Sequence, residues 1–489
     1  MSQFNHREIK LEEAIEAYLC SPEGGFIKGS DKNFDARLAL DTQTLLSFVK
    51  STQPKAWERY QVIYGSDCER RFIKRFCEEV ETDGLIQVLR HGIKDRGVNF
   101  MVAYFAPETS INPDLAVRYK SNILLCVRQF HYSPSDTQNA IDIVLLLNGI
   151  PIAALELKDE FSGQNVDDAI YQYKKDRDPR DPIFAFNQRM LVYFALDLAQ
   201  VFMTTQLAGA ATYFLPFNQG SNGAGEVGGK GNPPNPDNSM TAYLWENVLR
   251  KDRLMEILQK YIHLDVKKDG RKSIIFPRYH QLDVVTKLLA DVKANGTGKN
   301  YLIQHSAGSG KSNSIAWLAH RLSGLHDAND KKIFNSVIVV TDRKVLDSQL
   351  QDTVYQFDHV RGVVKKVEKN SKELLQAIND RVPIIITTLQ KFPVIFEQIK
   401  AGGRRFAIIC DEAHSSQTGE AAKKLKFALA DMEKELEEAA KIANQVEDAK
   451  PDYQDKIVQE LASHGTHKNM SFFCLHCHSK GQNFANVWH

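Results

Sequence analysis

Apolar residues along this chain keep one period for a stretch and then switch to another, and the switches outline its elements. Ile9, Leu11, Ala14, Ile15, Tyr18 and Leu19 recur at helical spacing and stop at Ser21-Pro22 and Gly24-Gly25, which predicts a first helix. A second helical pattern spans Ser66 to Val80, where Phe72, Ile73 and Phe76 alternate with Arg70, Arg71, Lys74 and Arg75. Such a basic face can meet phosphates, but a solvated helix surface produces the same pattern. Strands are predicted over Phe100 to Phe105 and Ile123 to Phe130. After them Ala140 to Leu147 is almost wholly apolar, Asn148-Gly149 is a hairpin turn, and Pro151 to Lys158 is the partner strand. Ser162 to Tyr173 then reads as a helix. Residues 218–239 are too rich in Gly, Asn and Pro for any regular element, so they read as a long surface loop. Thr241 to Ile262 returns to a helical pattern, and the charged, aperiodic stretch that follows reads as a linker over 265–273.

The second half has a different rhythm. Phe276 to Gln281 opens a helix, and short apolar strands follow at Tyr301 to Ile303, Val337 to Val340, Pro383 to Ile386 and Phe406 to Cys410. A helix with Ile315, Leu318, Ala319 and Leu322 on one face runs from Asn313 to Leu322. Apolar strands alternating with helices predict a parallel sheet covered on both faces, with ligands at the carboxyl ends of its strands. The expected fold is therefore α/β in two units, residues 1–264 and 274–470, with a tail at 471–489.

Composition adds little to this picture. At 489 residues two or three domains are expected, and 43% hydrophobic with 25% charged residues is ordinary for a soluble protein. Lys plus Arg (62) cancels Asp plus Glu (61), so any basic footprint for nucleic acid must be local. No apolar run approaches the roughly 20 residues of a membrane span, and the polar Met1 to Glu13 is unlike a signal peptide. A cytoplasmic protein with no membrane partner is expected. Seven scattered cysteines suit reduced thiols rather than a disulfide framework.

Three charges interrupt the apolar hairpin: Asp142, Glu156 and Lys158. Burying a charge costs several kcal/mol unless it is paired or holds a metal. The period-2 rule puts Glu156 and Lys158 on one face, and the turn brings Asp142 toward them. Two converging carboxylates suit Mg²⁺, and a neighbouring lysine can orient an attacking water and stabilise charge on a scissile phosphate. A structural ion pair at the sheet rim is the plain alternative.

The second constellation is Gln304-His305-Ser306-Ala307-Gly308-Ser309-Gly310-Lys311-Ser312, between a strand and a helix. Gly308, Ser309 and Gly310 can turn backbone N–H groups toward phosphate oxygens, and the helix start adds a positive dipole. Lys311 would reach the β- and γ-phosphates of ATP, and Ser312 would hold Mg²⁺. His305 stands where the general pattern has its first glycine. Downstream, Asp411 follows an apolar strand and would hold Mg²⁺ through water, with Glu412 activating the attacking water and His414 coupling the site to the rest of the motor.

The hairpin resembles the PD-(D/E)xK nuclease fold, with Asp142 as its first metal carboxylate and Glu156-Leu157-Lys158 as ExK. In the RecB-like branch the following helix carries a Gln/Tyr element near the DNA, which points to Gln172 and Tyr173. The second half resembles the first motor lobe of a superfamily 2 helicase. The resemblance implies Arg278 and Gln281 as the adenine-reading segment, Ser306 to Ser312 as motif I, Thr341-Asp342-Arg343 as motif Ia, Thr387 and Thr388 as a further DNA-contacting element, and Asp411 to His414 as motif II. Helicases of this class commonly lack the first P-loop glycine.

Nuclease followed by motor resembles, over nearly the whole chain, the restriction (R) subunit of type I restriction-modification enzymes. That resemblance implies ATP-driven translocation, Mg²⁺-dependent cleavage of unmodified double-stranded DNA, and methyltransferase and specificity subunits as partners. A nuclease-helicase fusion outside restriction and a non-catalytic DNA-binding or assembly module are the alternatives. The family continues past motif II with motif III and a second lobe. Here a charged helical stretch from Leu425 to Asp448 intervenes, and the chain reaches Cys474-Leu475-His476-Cys477-His478. A metal cluster is one reading of that end. A one-base shift over Cys474 to Lys480 can instead read Ala-Phe-Thr-Ala-Thr-Pro-Lys, the Thr-Ala-Thr of motif III. The expectation is therefore a frameshifted tail from 471 and a motor-defective, truncated subunit.

Overall fold

The computed structural model describes residues 5–159, 163–226, 228–267, 269–306, 308–341, 350, 352–355, 362–367, 371–388, 404–411, 469–478 and 486–488. It divides into two compact units, Met1–Gly223 with Gly229–Tyr279, and Ala224–Gly228 with His280–His489.

The first unit is built on a seven-stranded sheet whose strands lie side by side in chain order: β1 Ile27–Lys28, β2 Leu124–His131, β3 Ala140–Leu147, β4 Ile150–Leu157, β5 Val192–Leu196, β6 Val201–Thr204 and β7 Leu215–Pro216. β1 with β2 and β4 with β5 are parallel pairs, and the others are antiparallel. β3 and β4 are buried almost throughout, which is why the sequence shows apolar runs rather than alternation. They are joined at Asn148 and Gly149, both at positive φ (51° and 83°), the geometry of a tight hairpin turn. A Cβ at Gly149 would stand 2.3 Å from the Asp41 carbonyl, so the turn accepts only glycine there.

Helix α1 (Asn5–Leu19) and helix α2 (Val166–Lys175) belong to this unit. α2 starts in a capping box of Asn165 and Asp168 and buries Val166, Ala169 and Tyr173. The strand expected over 100–105 stops at Phe100, paired with Ile93–Asp95. The next backbone groups bond to side chains instead: Met101 N–H donates to Gln53 and Tyr104 N–H to Asn122. The region 241–262 holds a π-helical turn, Leu244–Val248, and a helix, Lys251–Lys260. An antiparallel hairpin of His263–Val266 and Lys272–Ile275 spans the charged stretch read as a linker.

The second unit opens on helix α3 (Tyr279–Asn295). Its sheet comprises β8 Tyr301–Ser306, β9 Ser336–Thr341, β10 Val364–Lys366, β11 Ile384–Thr388, β12 Phe406–Asp411, β13 Met470–His478 and β14 Asn486–Trp488, in the spatial order β10-β11-β9-β12-β13-β8-β14. Every pairing is parallel except β8 with β14, as the alternating pattern predicts. Helix α4 (Lys311–Ser323) follows the β8 turn.

The tail expected from 471 on begins within a strand: Met470–His478 lies between β12 and β8, with Phe472 and Phe473 buried and Phe473 stacked on Tyr301. An apolar run flanked by two parallel strands gains its hydrogen bonds and its burial together, whatever follows it. Cys474 is buried in register with Cys410 of β12. Among the described residues no three His, Cys, Asp or Glu side chains are grouped to hold a metal. No helix among them is long and apolar enough to cross a membrane. The stretch expected to be helical at 425–448 lies outside the described residues.

Candidate functional sites

In the first unit the β3–β4 pairing shifts register by one residue between Leu145 and Leu146. Ile143 stands opposite Leu155, which carries Asp142 to the level of Glu156 and Leu157. Asp142 Oδ2 accepts from the Leu157 N–H at 2.7 Å, and its Oδ1 accepts from Gln129 Nε2 at 3.4 Å. Glu156 is fully buried, and Lys158, at the end of the same strand, is also buried. Burial first, and then the Asp142 charge, raise the Glu156 carboxyl well above its ordinary value, while Arg177 and Lys158 oppose the shift. The three residues singled out in the sequence are thus brought into one electrostatic neighbourhood.

Two further groups were missed. Glu12 of α1 is 2% exposed, and its carboxylate accepts from Arg128 Nε at 3.1 Å and from Gln129 Nε2 at 2.8 Å. Burial, and then the charge of Asp142, push it up to about 7. Gln129 therefore bridges Glu12 and Asp142, from a backbone held at φ 48° within β2. A faint signal existed, because Glu12 and Glu16 share helical spacing with Ile15 and Leu19 and so fall on the buried face. Arg177, just past α2, is the other: its Nε and Nη2 both approach Glu156 Oε1 at 2.7 Å. Nothing in the sequence marks it, since the contact joins a loop to a strand 21 residues away.

The donor set fits Mg²⁺, which needs only one or two carboxylates and completes its shell with water and phosphate. Glu156 Oε2 is buried without a hydrogen-bond partner among the described residues, the kind of oxygen a cation would satisfy.

Gln172 and Tyr173 part company. Gln172 is half-buried on α2 and can face a ligand. Tyr173, expected beside DNA, is fully buried: its ring packs against Tyr193 and its hydroxyl donates to the Phe194 carbonyl at 3.3 Å. Helical spacing puts it with Val166 and Ala169 on the sheet-facing side, one step around from Gln172.

In the second unit, β8 leads through the glycine-rich turn into α4. Gly308 and Gly310 take φ of 73° and 81°, and Gly310 is the residue preceding the first helical turn. Gln281 of α3 donates from Nε2 to the carbonyls of Ser309 (3.1 Å) and Gly310 (3.0 Å), and His280 Nε2 lies 3.1 Å from the same Ser309 carbonyl. The expected adenine-reading glutamine thus grips the cradle's own backbone. His305, in the place of the missing glycine, is buried with Nδ1 3.0 Å from Ser309 Oγ. Burial, then the nearby His280 and Lys311, lower it to about 3, so it is neutral. Lys311 Nζ lies 2.8 Å from Asp411 Oδ1. Ser312 is half-buried on the first turn of α4.

Of the expected DNA contacts in this unit, Thr387 is fully buried in β11 and is not presented to a ligand. Strand alternation puts it with Ile385 on one face. Arg343, Glu412, His414 and the side chain of Thr388 lie outside the described residues.

Residues 61–212 match the family model described as type I restriction enzyme R protein N terminus, and residues 280–442 the model described as SWI2/SNF2 ATPase. The first range encloses Asp142, Glu156 and Lys158 but not Glu12, and the second encloses Gln281 to Asp411. A type I restriction enzyme endonuclease subunit of Staphylococcus aureus (strain COL) is 26% identical over 298 residues, covering 59% of this chain and 29% of that protein. A Methanocaldococcus jannaschii protein provisionally described as a type I restriction enzyme endonuclease subunit is 23% identical over 412 residues, covering 75% of this chain and 36% of that protein. The chain thus spans about a third of the length of these relatives. Among solved structures, the UvsW helicase from bacteriophage T4 overlaps 46% of this chain and 59% of its own, at a TM-score of 0.27 and 16% identity, too low a likeness to bear on function.

Proposed function

We propose, from the premise that this chain belongs to the R-subunit family of type I restriction enzymes, that it supplies the DNA-cleaving and ATP-binding parts of such an enzyme. Residues 1–264 form the nuclease domain and the unit from about 274 onward the motor lobe. The observation that carries the nuclease reading is the meeting of Asp142 and Glu156 across one hairpin, with Glu156 Oε2 buried and unpartnered among the described residues.

In this reading Asp142 and Glu156 hold Mg²⁺, which when bound supplies Lewis-acid activation of water and of the scissile phosphate. Lys158 orients the attacking water and stabilises the charge growing on the phosphate. In the motor lobe, Gly308, Ser309 and Gly310 cradle the ATP phosphates with Lys311. Ser312 and Asp411 hold the accompanying Mg²⁺, and Glu412 activates water. Gln281 keeps the cradle in shape. Gln172, Arg343, Thr388 and His414 serve DNA contact and coupling. Double-stranded DNA and the methyltransferase and specificity subunits are the partners, in the cytoplasm, and sequence reading belongs to another subunit.

The test is Mg²⁺-dependent nicking of supercoiled plasmid by the purified chain, alone and with its partner subunits. Asp142→Ala should abolish it, and Lys158→Ala should slow it by about 10²-fold, the cost of removing one stabiliser of developing charge. Nicking that survives Asp142→Ala sinks the nuclease reading and leaves a DNA-binding or assembly module.

A further inference from the structure

We infer that Arg177 is the positioning residue that makes Glu156 a one-oxygen metal ligand, an assignment that rests on the nuclease reading above. The guanidinium is 4% exposed and spends two nitrogens on a single atom, with Nε and Nη2 each 2.7 Å from Glu156 Oε1. Nη2 also donates to the Ala140 carbonyl at 2.6 Å, the first residue of β3. The guanidinium carbon Cζ lies over the Tyr132 ring, 5.6 Å from its centre.

These three contacts fix the guanidinium against both strands of the hairpin at once. A carboxylate gripped by one oxygen cannot rotate, so its other oxygen is held in one direction. That other atom, Oε2, has no hydrogen-bond partner among the described residues although it is fully buried. A purely structural ion pair would use the fork of arginine on both carboxylate oxygens, the arrangement that gains most from two parallel hydrogen bonds. Arg177 instead saturates one oxygen and leaves the second for a cation. It also keeps positive charge beside two carboxylates that would otherwise repel each other. Groups that orient a metal ligand in this way commonly set metal affinity as strongly as the ligands' own geometry does.

Mn²⁺ binding to the full chain, followed by the loss of the free-ion electron paramagnetic resonance signal, tests this without relying on cleavage. Wild type should bind one Mn²⁺ that Asp142→Asn removes. Arg177→Met should weaken that binding by about 10–100-fold. Arg177→Lys, which keeps the charge but not the fork, should fall between the two. Wild-type affinity in Arg177→Lys and Arg177→Met overturns the inference while leaving the nuclease reading intact. If Arg177→Met does not fold, as judged by its melting curve, Arg177→Lys decides alone: weakened binding supports the assignment and unchanged binding overturns it. Absence of any Asp142-dependent Mn²⁺ site in wild type overturns the nuclease reading and this inference with it.

Discussion

Lys311 Nζ, on the first residue of α4, lies 2.8 Å from Asp411 Oδ1, on the last residue of β12, with only 11% and 13% of the two side chains exposed. The pair joins the start of α4 to the carboxyl end of β12. A nucleotide phosphate would take over the lysine, exchanging one partially buried charge-assisted contact for another. Lys311→Ala should therefore weaken ATP binding by about 10–100-fold, since a hydrogen bond to a charged group contributes about 1.5–3 kcal/mol. Titration with a fluorescent ATP analogue measures it, and an unchanged dissociation constant would count against the cradle as the nucleotide site.

Gly310 is the second point of control in that cradle. Its φ of 81° is costly for any side chain, and an added Cβ would sit 2.5 Å from Gln281 Nε2. Gly310→Ala should cost about 1–2 kcal/mol in stability and break the Gln281 grip. Gln281→Ala removes the grip without the backbone strain. If the grip shapes the cradle, both variants lose nucleotide affinity, and only Gly310→Ala loses much stability in a thermal melt.

Tyr173 separates packing from recognition. Its ring is fully buried, so Tyr173→Ala should destabilise the first unit by about 3–5 kcal/mol, in the range of other large aromatic deletions. Tyr173→Phe loses only the bond to Phe194 and should cost about 1 kcal/mol with DNA binding unchanged. A DNA-affinity loss in Tyr173→Phe without a matching loss of stability would contradict the buried placement.

Acid should destabilise both units through buried neutral histidines. His263 and His305 are each lowered from 6.5 to about 3, in both cases chiefly by burial. The unfolded chain takes up these protons near pH 6.5 and the folded chain does not. The contribution is therefore complete above about pH 6.5 and is lost as the pH falls toward about 3, by about 1.4 kcal/mol per unit for each histidine. Urea melts at about pH 7.5 and 5 should differ by on the order of 2 kcal/mol per histidine. His263→Gln should reduce that pH dependence in the first unit, and an unchanged slope would refute the assignment.

Much of this architecture is legible without coordinates because its signals are local. The apolar runs of β3 and β4, the Asn148-Gly149 turn and the strand-glycine-helix order around Lys311 each follow from a few neighbouring residues. The two-residue turn alone would set Asp142 opposite Leu155, and the register shift between Leu145 and Leu146, which no local pattern announces, is what brings Asp142 level with Glu156. Period-2 and period-3.6 patterns carry that far and no further.

What only tertiary structure could decide are the contacts between elements distant in sequence. Arg177 reaches Glu156, Gln129 links Glu12 to Asp142, and Gln281 reaches back onto the Ser309 and Gly310 carbonyls. Tyr173 and Thr387 have residue types that suit DNA contact, yet the face each occupies is set by the layer packed against it, so both end in the interior. The strand Met470–His478 is the sharpest case: its place between two parallel strands depends on hydrogen bonds supplied by β8 and β12, from segments up to about 170 residues away. Local pattern specifies which elements form, because propensity and hydrophobic period act over a few residues. Which side chains meet in a buried charged site depends on how those elements are layered, and that was written in no single stretch of the chain.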